Sequence, residues 1–202
     1  MQSKDYNFIR SNIEPLEDSA YGPGYRASAY LTDGTFLPCV IFRNPSKIVN
    51  LAIRRFKEEQ SGNGMFSRSS GLGYLEIVKT FVASGNCVNE YDIERVEKSR
   101  YAFPLSVQRQ ILGETTMGWT GFAARMTDGK YFGFGTTFHW EFFDLPDGYS
   151  GEDAVEIVNH SYVLQTGELR SHKVPFLENP DDYKSAVIYR EKPFFECFIE
   201  SI

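Results

Sequence analysis

Two short stretches of the chain carry the same alternation of apolar and polar positions around the same turn. Residues 27–37 read ASAYLTDGTFL and residues 122–132 read FAARMTDGKYF. Aligned on Thr-Asp-Gly, Ala29 matches Ala124, Thr32 matches Thr127, Asp33 matches Asp128 and Gly34 matches Gly129. Leu31 then faces Met126, and Phe36 faces Tyr131. Each stretch is two β-prone runs joined across Asp-Gly, where a residue without a Cβ takes the positive φ of a tight hairpin. The pattern predicts two hairpins.

The segment after each hairpin extends the parallel. In the first copy a strand over 35–43 meets Asn44-Pro45, a helix cap followed by proline at the first helical position. Ile48, Leu51, Ala52 and Phe56 then recur at helical spacing up to Gly62. In the second copy a strand over 130–143 reaches the turn Leu145-Pro146-Asp147-Gly148. Ser150 and Asp153 there have capping-box spacing ahead of Ala154, Val155 and Val158, which predicts a second helix, although Val155 and Ile157 also fit a strand. Further strands are expected at 74–82, 161–165, 185–190 and 194–199, and a short helix at 104–112 stopped by Gly113.

The resulting expectation is an α+β fold, mainly antiparallel sheet with a few helices, in which two tandem strand-turn-strand-helix modules share one core. The whole chain, 1–202, is read as one compact domain with an internal duplication into 1–90 and 91–202, because no Pro/Ser-rich linker marks a join.

Composition sharpens this picture. Aromatic residues make up 15% of the 202 residues, which favours strands over a helical bundle. A formal net charge of -6 removes the global electrostatic footprint expected of a nucleic-acid binder. No run approaches the roughly 20 apolar residues of a membrane helix. The opening MQSKDYNFIRSN has no signal-peptide pattern. The three cysteines, Cys39, Cys87 and Cys197, are odd in number and form no CxxC, so a reducing, cytoplasmic setting is expected. Cys39 and Cys197 sit in apolar runs and read as buried thiols, whereas Cys87 comes after Gly85-Asn86 in a more exposed turn.

Three segments could carry chemistry. Residues 43–68 hold six basic against two acidic side chains, a local +4 against -10 for the rest of the chain. Arg54, Arg55, Lys57 and Arg68 are the candidate binding residues there, next to the Gly/Ser-rich stretch 61–73, which lacks the Gly-Lys-Ser/Thr ending of a P-loop. The strand over 130–143 is the second. Alternation places Phe132, Phe134, Thr136, Phe138, Trp140 and Phe142 on a buried face, and Gly133, Gly135, Thr137, His139, Glu141 and Phe143 on the other. The two glycines leave that second face open to close approach by a backbone or ligand. His139 and Glu141, joined in space by His160 and Asp144, would form an acid–base or metal-binding set. The third is GETTMGWTG, 113–121, where Trp119 is either a recognition anchor or core.

No GxSxG elbow, zinc spacing or dinucleotide fingerprint is present. The function expected is therefore a non-catalytic protein-interaction module, the character of small immunity, antitoxin and accessory proteins, by analogy of type alone. Its partner would be a protein of basic character meeting the acidic majority of the surface, with Asp181 and Asp182 as binding residues, and with no membrane, nucleic acid or cofactor. The alternative is a small metal-assisted or acid–base hydrolase using His139 and Glu141.

Overall fold

Backbone hydrogen bonds lock both Thr-Asp-Gly turns in the same way. The computed structural model describes residues 1–18, 21–61, 85–172 and 184–202. Strands β2 (Gly24–Leu31) and β3 (Phe36–Arg43) make the first hairpin, and β6 (Thr120–Met126) and β7 (Tyr131–Thr136) the second, each antiparallel. Gly34 and Gly129 sit at the tips with φ of 86° and 87°. Asp33 Oδ1 accepts the N–H of Thr35 at 2.9 Å, and Asp128 Oδ1 that of Lys130 at 3.1 Å. The side chain thus shapes the turn that the glycine permits.

The third strand enters each sheet by the same device. A 3-10 turn, Glu90–Asp92 or Gly151–Asp153, precedes β5 (Ile93–Lys98) or β8 (Ala154–Asn159). The N–H of Thr32 donates to Asp92 O at 2.8 Å, and that of Thr127 to Asp153 O at 2.8 Å. β5 pairs with β2, and β8 with β6. Ile93 and Val96 are buried on β5, Ala154 and Ile157 at the same spacing on β8. The second helix expected from the Ser150 cap is therefore a strand. The Ser150–Asp153 capping box does form, but it closes a single 3-10 turn before β8 takes its place in the sheet. Sheet pairing overrides the local cap here.

Among the described residues two compact units are present, Met1–Glu97 with Phe194–Ile202, and Lys98–Pro193. The first adds α1 (Ser3–Asn12), β1 (Pro15–Leu16), α2 (Ser46–Ser61), β4 (Cys87–Val88) and the C-terminal β12 (Phe195–Phe198). Its strands run in the order β1-β2-β3-β12-β4, with β5 on β2. The second adds α3 (Leu105–Gln108), β9 (Ser161–Leu164), β10 (Leu169–Ser171) and β11 (Ala186–Arg190), in the order β10-β9-β11-β7-β6-β8.

The fold is α+β and mostly sheet, and the sheets are mixed, with most pairings antiparallel but not all. β12 runs parallel to both β3 and β4, and β11 runs parallel to β7. Turn chemistry reports only pairing between chain neighbours, and these strands arrive from far along the chain. The described buried apolar residues form two clusters where one shared core was expected. One is built around Phe42, Val40, Ile9 and Ile199, the other around Phe103, Phe122, Phe134 and Phe143.

The first helix after a hairpin obeys its sequence signal. Asn44 Oδ1 accepts the N–H of Ser46 at 2.9 Å, and Pro45 stands just ahead of α2, one place before the first helical position expected for it. Cys39 and Cys197 are buried and Cys87 is exposed. Burial, then the Glu90 carboxylate, pushes the Cys197 thiol up to about 12, so it stays protonated and inert at neutral pH. The strand expected at 74–82 lies outside the described residues, as does the Gly/Ser-rich stretch beyond Ser61.

Replacing Gly34 or Gly129 by Ala forces an L side chain into the left-handed region. Each variant should lose about 1–2 kcal/mol. Urea unfolding of the two single variants checks this, with Asp33→Ala as the control that removes the side-chain bond and leaves the glycine.

Candidate functional site

The second hairpin opens away from its Asp-Gly tip, and Thr136, His139 and Glu141 lie at or just beyond its open end. Thr120 and Thr136 are paired partners at this end, and Phe122 is the partner of Asn159, which brings the β8–β9 turn alongside. β7 ends at Thr136 rather than continuing to Phe143. The reason is local: Thr136 Oγ1 donates to His139 O at 2.6 Å and accepts the His139 N–H at 3.2 Å, closing a turn. The alternation expected over 130–143 therefore breaks. Phe138, expected in the core, is 85% exposed, and Phe143, expected on the open face, is fully buried.

The turn nevertheless brings His139 and Glu141 together, with Nδ1 3.3 Å from Oε2. Burial raises the Glu141 carboxyl pKa, but the contact with His139 and the N–H of Trp140 outweigh it and hold the group below the usual carboxylate range. His160 is not part of this pair. It occupies the β8–β9 turn with φ of 52°, and its Nδ1 lies 3.1 Å from Thr115 Oγ1. Asp144 instead meets Lys192 at 3.4 Å. Among the described residues no three His, Cys, Asp or Glu side chains form a metal-binding group.

Trp119 lies across the face that the glycines leave bare. A Cβ on Gly135 would meet the indole ring at 2.1 Å, and one on Gly133 would meet Val187 O at 2.7 Å. The close approach predicted for these glycines is thus made by the chain's own ring and backbone. Arg190 covers the ring, its Cζ 4.9 Å from the indole centroid, and donates to Thr137 Oγ1 and to Glu191.

Gly121 is a second meeting point. Its N–H donates to Thr115 Oγ1 at 3.0 Å, and a Cβ there would lie 2.8 Å from His172 Nε2 and 3.0 Å from Trp119 Nε1. The His172 ring packs on Tyr162 with centroids 4.9 Å apart. All three histidines of the chain, His139, His160 and His172, belong to this unit.

Two large apolar side chains stand in water at the same end. Met117, at the tip of the tight turn between Thr116 and Trp119, is 97% exposed, and Phe138 leaves the turn after β7. The sequence left Trp119 of 113–121 as either a recognition anchor or core and gave no sign of Met117, Phe138, His172 or Arg190, because spacing gives no signal of which turn residues meet. Arg54 and Lys57 are exposed on α2. The Arg55 side chain, Arg68, Asp181 and Asp182 lie outside the described residues.

No protein-family model, no curated protein and no solved structure matches the chain. No described helix is long and apolar enough to cross a membrane.

Gly135→Ala should displace Trp119 from its seat and cost about 1–3 kcal/mol as overpacking. A red shift of tryptophan emission at full folding, with Gly133→Ala leaving emission closer to wild type, is the expected readout.

Proposed function

We propose that the chain is a non-catalytic protein-interaction module whose contact surface is the open end of the second hairpin. The observation that carries this reading is the exposure of Met117 and Phe138 at the end of the hairpin where Arg190 covers the Trp119 ring. Exposed aromatic, Met and Arg groups are the composition of interface hot spots, and leaving them in water gains nothing for folding. The acidic balance of the chain favours a basic partner, which complementary fields would steer onto it.

The tandem reading belongs to the same proposal. Two copies of one strand-turn-strand-strand motif are supported by the matched turn bonds and by one cross-strand position. In the first copy Arg95 lies over Tyr30, 4.0 Å from the ring centroid. At the matching position of the second, Arg125 meets Glu156 at 2.7 Å. A cation pair persists while its residues change.

Met117→Ser with Phe138→Ser should weaken binding of any copurifying protein by about tenfold or more, with an unfolding midpoint unchanged. Equal affinity in the double variant would remove this surface from the proposal.

A second reading, acid–base hydrolysis, is favoured by the His139–Glu141 contact. It requires that cleavage of activated ester or phosphate substrates by the purified chain disappear in both His139→Ala and Glu141→Gln. Turnover indifferent to both variants ends it.

A further inference from the structure

Asp-Gly occurs at 33–34, 128–129 and 147–148, and the fold ties down the first two steps but not the third. In both hairpin turns the glycine is the closing residue. Gly34 donates its N–H to Leu31 O and Gly129 to Met126 O, each at 2.9 Å. The carboxylates before them are held as well. Asp33 Oδ1 takes the Thr35 N–H, and Asp128 takes the Lys130 N–H on Oδ1 and the Tyr149 O–H on Oδ2. The turn after Leu145 is set one residue later. Tyr149 closes it, donating to Pro146 O at 3.2 Å, so Gly148 is an inner residue of the turn with φ of 83°. Asp147 is exposed, and among the described residues neither its carboxylate nor the Gly148 N–H makes a hydrogen bond. We propose that Asp147-Gly148 is a self-modification site, the Asp-Gly step at which the folded chain converts aspartate to isoaspartate.

The reaction needs a free amide nitrogen beside a free carboxyl, with no Cβ on the attacking residue to obstruct it. The Gly148 nitrogen attacks Asp147 Cγ and an N–C bond forms. The amide hydrogen and the carboxyl hydroxyl leave together as water, and a cyclic imide remains. Water then opens the ring. Addition at Cγ restores aspartate, whereas addition at the main-chain carbonyl carbon of Asp147 gives isoaspartate, with the chain running through Cβ and Cγ. One water leaves and one returns, so the mass is unchanged. At the two hairpin tips both reacting groups must first give up a hydrogen bond. The Thr35 N–H on Asp33 and the Tyr149 O–H on Asp128 also hold those carboxyls below the usual range, which disfavours the acid form that loses its hydroxyl. Isoaspartate at 147 puts one more main-chain atom between Leu145, buried in the core, and Tyr149, whose ring packs on Phe132 and whose hydroxyl holds Asp128. The modification thus bears on the tip of the second hairpin.

Incubation of the full chain for weeks near neutral pH, followed by peptide mapping with electron-transfer fragmentation, tests this, because that fragmentation tells isoaspartate from aspartate at equal mass. The peptide holding Asp147 should convert about fivefold faster, or more, than those holding Asp33 and Asp128, the factor that one hydrogen bond contributes. In guanidinium chloride, where the turns are lost, that advantage should disappear. Conversion at Asp147 no faster than at the two hairpin tips, or the same advantage in denaturant, would overturn the assignment.

Discussion

Each sheet depends on a strand that returns from far along the chain to run parallel inside it. β12 lies between β3 and β4, so its backbone donors and acceptors are satisfied on both sides, and it supplies the partner that the second strand of the first hairpin lacks. β11 does the same for β7, with β9 on its other side. The first of these insertions also settles a buried charge. The Arg43 side chain is 3% exposed, lies 3.3 Å from Asp18 and 3.4 Å from Glu196 on β12, and donates to Gly22 O at 2.8 Å. A guanidinium buried without those acceptors would cost several kcal/mol, so hairpin, preceding turn and C-terminal strand stand together.

One edge of the second sheet, β8, is met by side chains. On β8, the Ile157 N–H that faces away from β6 is taken by Gln110 Oε1 at 3.0 Å, and Asn159 reaches back to Gln110 O at 2.7 Å. A side-chain amide here takes an outward donor that another strand would take. The tip of the same hairpin is stapled from outside, where Tyr149 donates to Asp128 at 2.6 Å and accepts from Lys130 at 2.9 Å. At the opposite end, Met117 and Phe138 stay exposed, apolar surface that folding does not absorb.

The polar chemistry at that end derives from two glycines. Because Gly135 has no side chain, the Trp119 ring can lie on β7 and carry Arg190 above it. Because Gly121 has none, Thr115, Trp119 and His172 can converge on β6. Side chains are fitted to bare backbone at both positions.

Much of this molecule was legible in its residues. Asp-Gly between apolar alternations determined both hairpins, since only a residue without a Cβ relieves the strain of the left-handed turn. Asn44-Pro45 determined the start of α2, and the apolar settings of Cys39 and Cys197 their burial, because these are effects of near neighbours in the chain. The parallel strands, the conversion of the expected helix after Ser150 into β8, and the end of β7 at Thr136 were decided by partners distant in sequence or by a side chain's choice between competing bonds. The His139–Glu141 pair was foreseen for the wrong reason, strand alternation, and made by a turn. The place of His172 beside Gly121 could not be foreseen, because some fifty residues separate them, and chain spacing carries no information about contacts that only packing creates.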